Sequence, residues 1–338
     1  MSATLDDPFQ ARADPALPEL ALALDPAIAR HELRRGLPKL SGTDAIARLE
    51  HIRVIRHKPG KRCVVEYHLR IKRSEQIERI IIIGKIRARR FGNESLRLLT
   101  RLWEAGFDEQ SPDGISVPEP LGLIPDFKMW CQRKVSGPTA DHLLGGPDGV
   151  QLAQKIADAI HKLHQAGVPA ERKHTKTDEL RILHECLEKV TRLYPRFSER
   201  VKRVSDACSE VADRLPASTA CNIHRDFYPA QVLVTPGRLY LIDFDLYCAG
   251  DAGLDPGNFL AHVTEQSLRQ LGSPSALSAP EQALQERFVA LSGEQTRVAV
   301  RTYSLLSLAR HIYLSTQFPE RHRLTEPLLE LCEQRLGL

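Results

Sequence analysis

The stretch between Ile223 and Asp245 leaves this chain little choice of local structure. Two short apolar runs, residues 232–234 and 239–242, flank Thr235-Pro236-Gly237-Arg238, and a Pro-Gly pair between such runs predicts a hairpin. With the turn centred near Gly237, Gln231 and Asp243 stand six residues to either side and are expected to meet at the open end. Asp226, on the loop that feeds the first strand, reaches the same end. Two carboxylates and one amide then surround a single volume. Phosphoryl transfer needs such a set, because oxygen ligands hold Mg2+ against nucleotide phosphates while a separate carboxylate orients the attacking hydroxyl.

The pattern His224-Arg225-Asp226, with Gln231 five residues after the Asp and then Ile242-Asp243-Phe244-Asp245, resembles the catalytic segment of the aminoglycoside phosphotransferase and choline kinase group. That group, a branch of the protein-kinase-like fold, usually writes His-Gly-Asp with Asn five residues on. Gln231 stands at the Asn position, and its extra methylene shifts the amide oxygen by about one C–C bond against the tight octahedral geometry of Mg2+. Arg225 replaces the usual Gly and gives the tripeptide a protein-kinase look. A protein kinase would need an activation segment, however, and Asp251 follows Asp243 within eight residues. The run from Gly250 to His262 resembles the group's Gly-Asp-Pro-(three residues)-Asp-Leu-Ala segment, in which Asp251 and Asp255 are expected to anchor loops or cap the next helix.

The resemblance implies an α+β, two-lobed protein-kinase-like fold: a small antiparallel-sheet N-lobe and a larger, mainly helical C-lobe. Residues 1–134 are expected to hold an N-terminal helical extension and the nucleotide-binding lobe. Residues 135–338 are expected to hold the catalytic hairpin and a helical acceptor-binding subdomain. Hydrophobic periodicity agrees along the chain. Residues 18–33 read as one helix, and Cys63, Val65, Tyr67, Leu69 and Ile71 alternate as in a half-buried strand. Residues 79–86, with four consecutive isoleucines before Gly84-Lys85, read as a further strand, and 92–105 as a helix. After a strand at 128–137, helices are expected from 150, at 178–193 and 197–215, and from 280 to the end with a break near Phe318-Pro319.

Site roles follow from the same resemblance. Asp226 is the expected catalytic carboxylate, with Gln231 and Asp243 as Mg2+ ligands. Lys85 is the expected nucleotide-phosphate lysine, with Glu94 as its helix partner, and Gly60, Lys61 and Arg62 form the loop over the phosphates. Gln132, Arg133 and Val135 fall in the hinge, whose backbone would hold the adenine edge. His224 is expected to brace its loop, and Asp245 is either a turn residue or a second metal contact. ATP or GTP, with Mg2+, is the implied cofactor.

Composition sets the remaining bounds. Hydrophobic content of 42%, charged content of 27% and a net charge of +4 are those of a globular protein, with no case for a nucleic-acid partner. Seven scattered cysteines without a Cys-x-x-Cys pair and the lack of any long apolar run point to a cytoplasmic protein that does not span a membrane. The expected partner is a small-molecule hydroxyl acceptor: an aminoglycoside, sugar, amino alcohol or similar metabolite. Glu179, Glu185 and Glu188 are read as a solvated helix face, with an acidic acceptor lining as the competing reading. A nucleotide-binding pseudokinase or scaffold, suggested by Gln231, and a kinase for protein hydroxyls, suggested by Arg225, are the alternatives.

Overall fold

The structure, a computed structural model, describes residues 3–37, 45–73, 76–88, 92–216 and 218–338. The chain divides into two compact units, Met1–Ser136 and Gly137–Leu338. The first is built on a sheet and the second is mostly helical, an α+β architecture of the protein-kinase-like kind.

The first unit opens with strand β1 (Thr4–Asp6) and helices α1 (Leu20–Ala23) and α2 (Pro26–Gly36). One helix over 18–33 was the sequence expectation. The structure breaks it at Asp25, whose carboxylate accepts the Ala27 and Ile28 N–H groups while Pro26 takes the first helical position. Strands β2 (Ala45–Lys58), β3 (Arg62–Arg73) and β4 (Gln76–Arg87) form an antiparallel meander. Helix α3 (Asn93–Leu102), the short strand β5 (Ile115–Ser116), β6 (Pro120–Ile124) and β7 (Met129–Arg133) follow, with β7 inserted between β4 and β6. Gly106, at φ 90°, ends the helical run after α3. The alternating residues Cys63, Val65, Tyr67, Leu69 and Ile71 are all buried, joined by Ile82, Ile86 and Met129 and by Leu20, Leu24 and Leu33. Each large aliphatic side chain so buried is worth about 1.5–3 kcal/mol.

The second unit begins with α4 (Gly149–Gln165), α5 (Lys176–Leu193) and α6 (Ser198–Asp213). A capping box fixes the start of α5: the Asp178 N–H donates to the Thr175 hydroxyl oxygen, and the Thr175 N–H donates to the Asp178 carboxylate. Strand β8 (Cys221–Ile223), the hairpin β9 (Val232–Thr235) and β10 (Arg238–Leu241), and β11 (Cys248–Gly250) precede α7 (Leu254–Leu271). Helices α8 (Ser278–Ser292), α9 (Thr296–Ser315) and α10 (Thr325–Leu336) complete the chain, with a 3-10 turn at Pro319–Leu324 where Phe318-Pro319 interrupts the pattern. Leu183 and Leu187 of α5, Val201 and Val204 of α6, Leu306 of α9 and Leu328 of α10 share one core. No helix among the described residues is long and apolar enough to cross a membrane.

Candidate active site

The hairpin forms with a two-residue turn. Thr235 pairs with Arg238 and Val232 with Leu241, so the mirror lies between Pro236 and Gly237 rather than at Gly237. Gln231 therefore faces Ile242, whose N–H donates to the Gln231 carbonyl at 3.0 Å. Asp243 lies one residue beyond and adopts the left-handed conformation, φ 64° and ψ 58°. Gly237, at φ 76°, supplies the positive φ that the turn needs after Pro236.

Asp226 and Asp243 are partly exposed, and Gln231 is 5% exposed. Among the described residues none of the three side chains makes a hydrogen bond or ion pair, although a near-buried amide is costly to leave unpartnered. Burial pushes the Asp226 carboxyl above its usual range. His224, Arg310 and Arg225 oppose that shift, and the like charge of Asp243 adds to it. The two carboxylates thus feel one another. Unspent oxygen donors beside each other fit a divalent cation, and Mg2+ is held by one or two carboxylates with phosphate oxygens rather than by an all-protein cage. Among the described residues no group of three or more His, Cys, Asp or Glu forms such a cage.

The loop carrying Asp226 is braced from two sides. His224 is fully buried, its Nε2 lies 2.9 Å from the Ile242 carbonyl, and its ring packs on Phe227 and Phe244. Asp255, in the first turn of α7 and fully buried, accepts the His224 N–H at 2.8 Å and the Arg225 N–H at 2.7 Å. Its Oδ2 also lies 2.9 Å from His164 Nε2. Burial alone would raise the Asp255 carboxyl, but His164 and the loop hold it below the usual range, and the His164 imidazole rises to about 9. Arg225 has φ 72°, the left-handed region that explains why the related pattern carries Gly there. Asp251 accepts the Gly253 N–H ahead of α7. Asp245 lies in the short turn after Asp243, where its carbonyl accepts from Arg172.

One part of the site has no sequence signature. Glu179 of α5 is buried, with Oε1 2.7 Å from His174 Nε2 and Oε2 3.4 Å from Arg310 Nη1. Arg310 Nη2 donates to Asn258 Oδ1 at 2.8 Å, and Asn258 Nδ2 donates to the Phe227 carbonyl at 3.0 Å. Glu179 is therefore neither solvated nor an open acidic lining. Glu185 and Glu188 do lie on an exposed face, paired with Arg181 and Arg192 one helical turn away.

In the first unit, Lys85 faces Trp130 across the β4–β7 ladder and its ammonium lies over the indole, 4.7 Å from the ring centroid. Gly92, just before α3, packs so closely on Trp130 that a Cβ there would come within 2.0 Å of the ring. Lys85 and the helix start that carries Glu94 therefore share one neighbour. Gly60, at φ 68°, donates its N–H to the Asp14 carboxylate at 2.8 Å, and Lys61 donates its N–H to the Lys58 carbonyl. With those two N–H groups bonded within the unit, neither backbone donor of this turn is open to a phosphate. In the segment expected to form a hinge, Gln132 is buried in the ladder, and the Arg133 guanidinium is bonded to Glu119 and Glu78. The Arg133 and Lys134 N–H groups go to Glu119 and Ile81 carbonyls, so Val135 is the first residue there whose backbone makes no hydrogen bond among the described residues.

No curated protein sequence matches the chain. Among solved structures it is similar to a choline/ethanolamine kinase family protein from Mesorhizobium loti, with 13% identity, TM-score 0.55, and 80% of this chain and 85% of that one covered. It is also similar to a glucosamine kinase, at 14% identity and TM-score 0.57 over 92% of this chain and 80% of the other. An ADP-bound aminoglycoside phosphotransferase, APH(2'')-Ib, aligns at 17% identity and TM-score 0.55 over 93% and 99%. At such identities these likenesses establish the fold. The sequence profile of the phosphotransferase enzyme family matches residues 87–284, more than half of the 338, and the chain belongs to that family.

Proposed function

We propose that this protein is a small-molecule kinase that transfers the γ-phosphate of ATP to an acceptor hydroxyl. The observation that carries the reading is the pair Asp226 and Asp243, two partly exposed carboxylates whose charges act on one another, with Gln231 at the open end of the same hairpin, none of the three side chains bonded to a partner among the described residues. Support comes from the family and from the fold it shares with kinases of choline, glucosamine and aminoglycosides.

In this reading Asp226 accepts a hydrogen bond from the acceptor hydroxyl and takes its proton as the new P–O bond forms and the bond from the γ-phosphorus to the bridging oxygen breaks, that oxygen leaving with ADP. Its raised pKa matches that task, because a base held too acidic takes protons poorly. Asp243 and Gln231 hold Mg2+, which, when bound, neutralises charge on the phosphate oxygens. Lys85 binds phosphate oxygens, Glu94 holds Lys85, and Lys61 and Arg62 add positive charge on the turn that Gly60 permits. Val135 offers its backbone to the adenine edge, while Gln132 and Arg133 hold the strand leading to it. His224 and Asp255 fix the loop and move no proton.

The test is ADP release with Mg-ATP and a panel of hydroxylated metabolites, comparing the chain with its Asp226→Asn variant. We expect a loss of 10²–10⁴-fold in kcat with little change in KM for ATP. Nucleotide binding without Asp226-dependent turnover on any acceptor would assign the chain to the scaffold class that Gln231 raised.

A further inference from the structure

We propose that the second unit holds a ligand site apart from the proposed active site: a cavity among α7, α8, α9 and α10 that takes an organic anion with an apolar body, in the simplest case a medium-chain carboxylate.

The cavity has a volume of about 730 Å³, which is the size of a small-molecule pocket. Val211 of α6, Leu260 of α7, Leu305 of α9 and Leu336 of α10 give it an apolar wall. Val298, which also lines it, is left exposed to solvent. The cavity faces away from the catalytic loop. Leu260 and, one turn on, Thr264 are the residues that α7 contributes, and Leu260 stands about 200° round the helix from Asn258, whose amide holds that loop. No residue assigned to the chemistry borders the space.

The charges around it favour an anion. Arg301 of α9 and Arg335 of α10 both line the cavity, and neither forms an ion pair among the described residues; Arg335 Nη2 donates only to the Thr264 hydroxyl oxygen, at 3.4 Å. Glu286 and Glu294, which feel the charge of Arg301, are both bonded to Arg297 instead. Among the described residues that line the space, Glu281 of α8 is the sole carboxyl, and it is a poor counter-ion for an amine. Burial raises it to about 7, so near neutrality much of it is uncharged, and the Thr264 hydroxyl already donates to its Oε1 at 2.7 Å. In the uncharged form it donates a hydrogen bond to a bound carboxylate rather than repelling it. Two unpaired guanidinium groups against one half-ionised carboxyl leave a positive balance, and guanidinium groups match carboxylates in geometry as well as in charge. An apolar chain on that carboxylate removes the wall from water, which a small inorganic anion cannot do.

The experiment is calorimetric titration of the full chain at pH 7 with octanoate, octylammonium and 1-octanol, which share a chain length and differ in charge, and with acetate, which keeps the charge and lacks the chain. Octanoate should bind at one saturable site, at least about tenfold tighter than either of the other eight-carbon probes, and acetate should show no saturable binding. Arg301→Gln combined with Arg335→Gln should weaken octanoate about tenfold or more, whereas Arg301→Lys combined with Arg335→Lys, which keeps both charges, should hold it within about threefold. Both positions are exposed, so the variants should fold as the parent does, with melting temperature as the check. The inference is overturned by an absence of saturable octanoate binding, by octylammonium or 1-octanol binding as tightly, or by an octanoate affinity indifferent to the double glutamine variant. None of these results bears on the kinase reading, which stands or falls on Asp226-dependent turnover.

Discussion

Arg225 pays for its place with backbone strain. A non-glycine residue in the left-handed region costs about 1–2 kcal/mol, and glycine gives back part of any gain through its freer unfolded chain. Arg225→Gly should therefore leave the fold between equally stable and about 1 kcal/mol more stable, whereas Arg225→Val should lose a further 1–2 kcal/mol through β-branching. Urea denaturation of the three proteins measures both, and a clear loss of stability in the glycine variant would refute the strain argument. The tripeptide itself was legible in sequence because its parts are adjacent. What fixes it was not: Asp255 lies 31 and 30 residues from the two N–H groups it accepts, a partnership that only packing reveals. The same holds for Glu179 and Arg310, 131 residues apart, whose pairing turns an apparent solvated helix face into a closed ion pair.

Between elements, α7 carries the site because it lies unusually close to α9. A Cβ on Gly257 would stand 2.7 Å from Tyr303 Cβ and 2.8 Å from the Ser304 nitrogen, and one on Gly253 would stand 2.6 Å from Ala299 Cβ. Backbone atoms cannot swing aside, so Gly257→Ala must part the helices, at about 1–3 kcal/mol. Asp255 and Asn258 flank that glycine and hold the catalytic loop, so kcat should fall with the melting temperature. Gly145→Ala, which meets nothing nearer than Leu277 at 3.6 Å, is the control that should change neither. Wild-type kcat in the Gly257 variant would show that loop placement does not depend on this contact. At this scale the periodic strands and helices were readable, since each burial pattern repeats within a few residues. Two local details were not. The hairpin register turned on a two-residue turn, displacing Asp243 by one position, and the Asp25-Pro26 start signal split a helix that periodicity alone ran together.

Across the whole molecule, each unit has its own core, and buried carboxyl groups pull stability in opposite directions with pH. Asp255, Glu179 and Asp14 are held below their usual values by hydrogen bonds and cationic partners, so the stability they add is present above the unfolded pKa and lost as pH falls through the folded one. Glu281 of α8 behaves oppositely. Burial raises its carboxyl from the usual 4.5 to about 7, even though the Thr264 hydroxyl donates to it at 2.7 Å. Its contribution is complete below about 4.5, where both states are protonated, and is lost as pH rises through about 7, when the folded chain must hold a partly buried carboxylate. Glu281→Gln keeps a hydrogen-bonding oxygen and removes the charge. The variant should match wild type at pH 4.5 and exceed it at pH 8 by about 1–2 kcal/mol, less than full linkage gives because solvent reaches part of the group. Melting temperatures across that range measure the difference, and an offset independent of pH would mean that Glu281 stays ionised in the fold and that burial does not govern it. Because Glu281 lies on α8 and has no place in the proposed chemistry, a gain in stability with unchanged kcat would also separate the protein's pH-dependent stability from any acidic limb that Asp226 imposes on its activity.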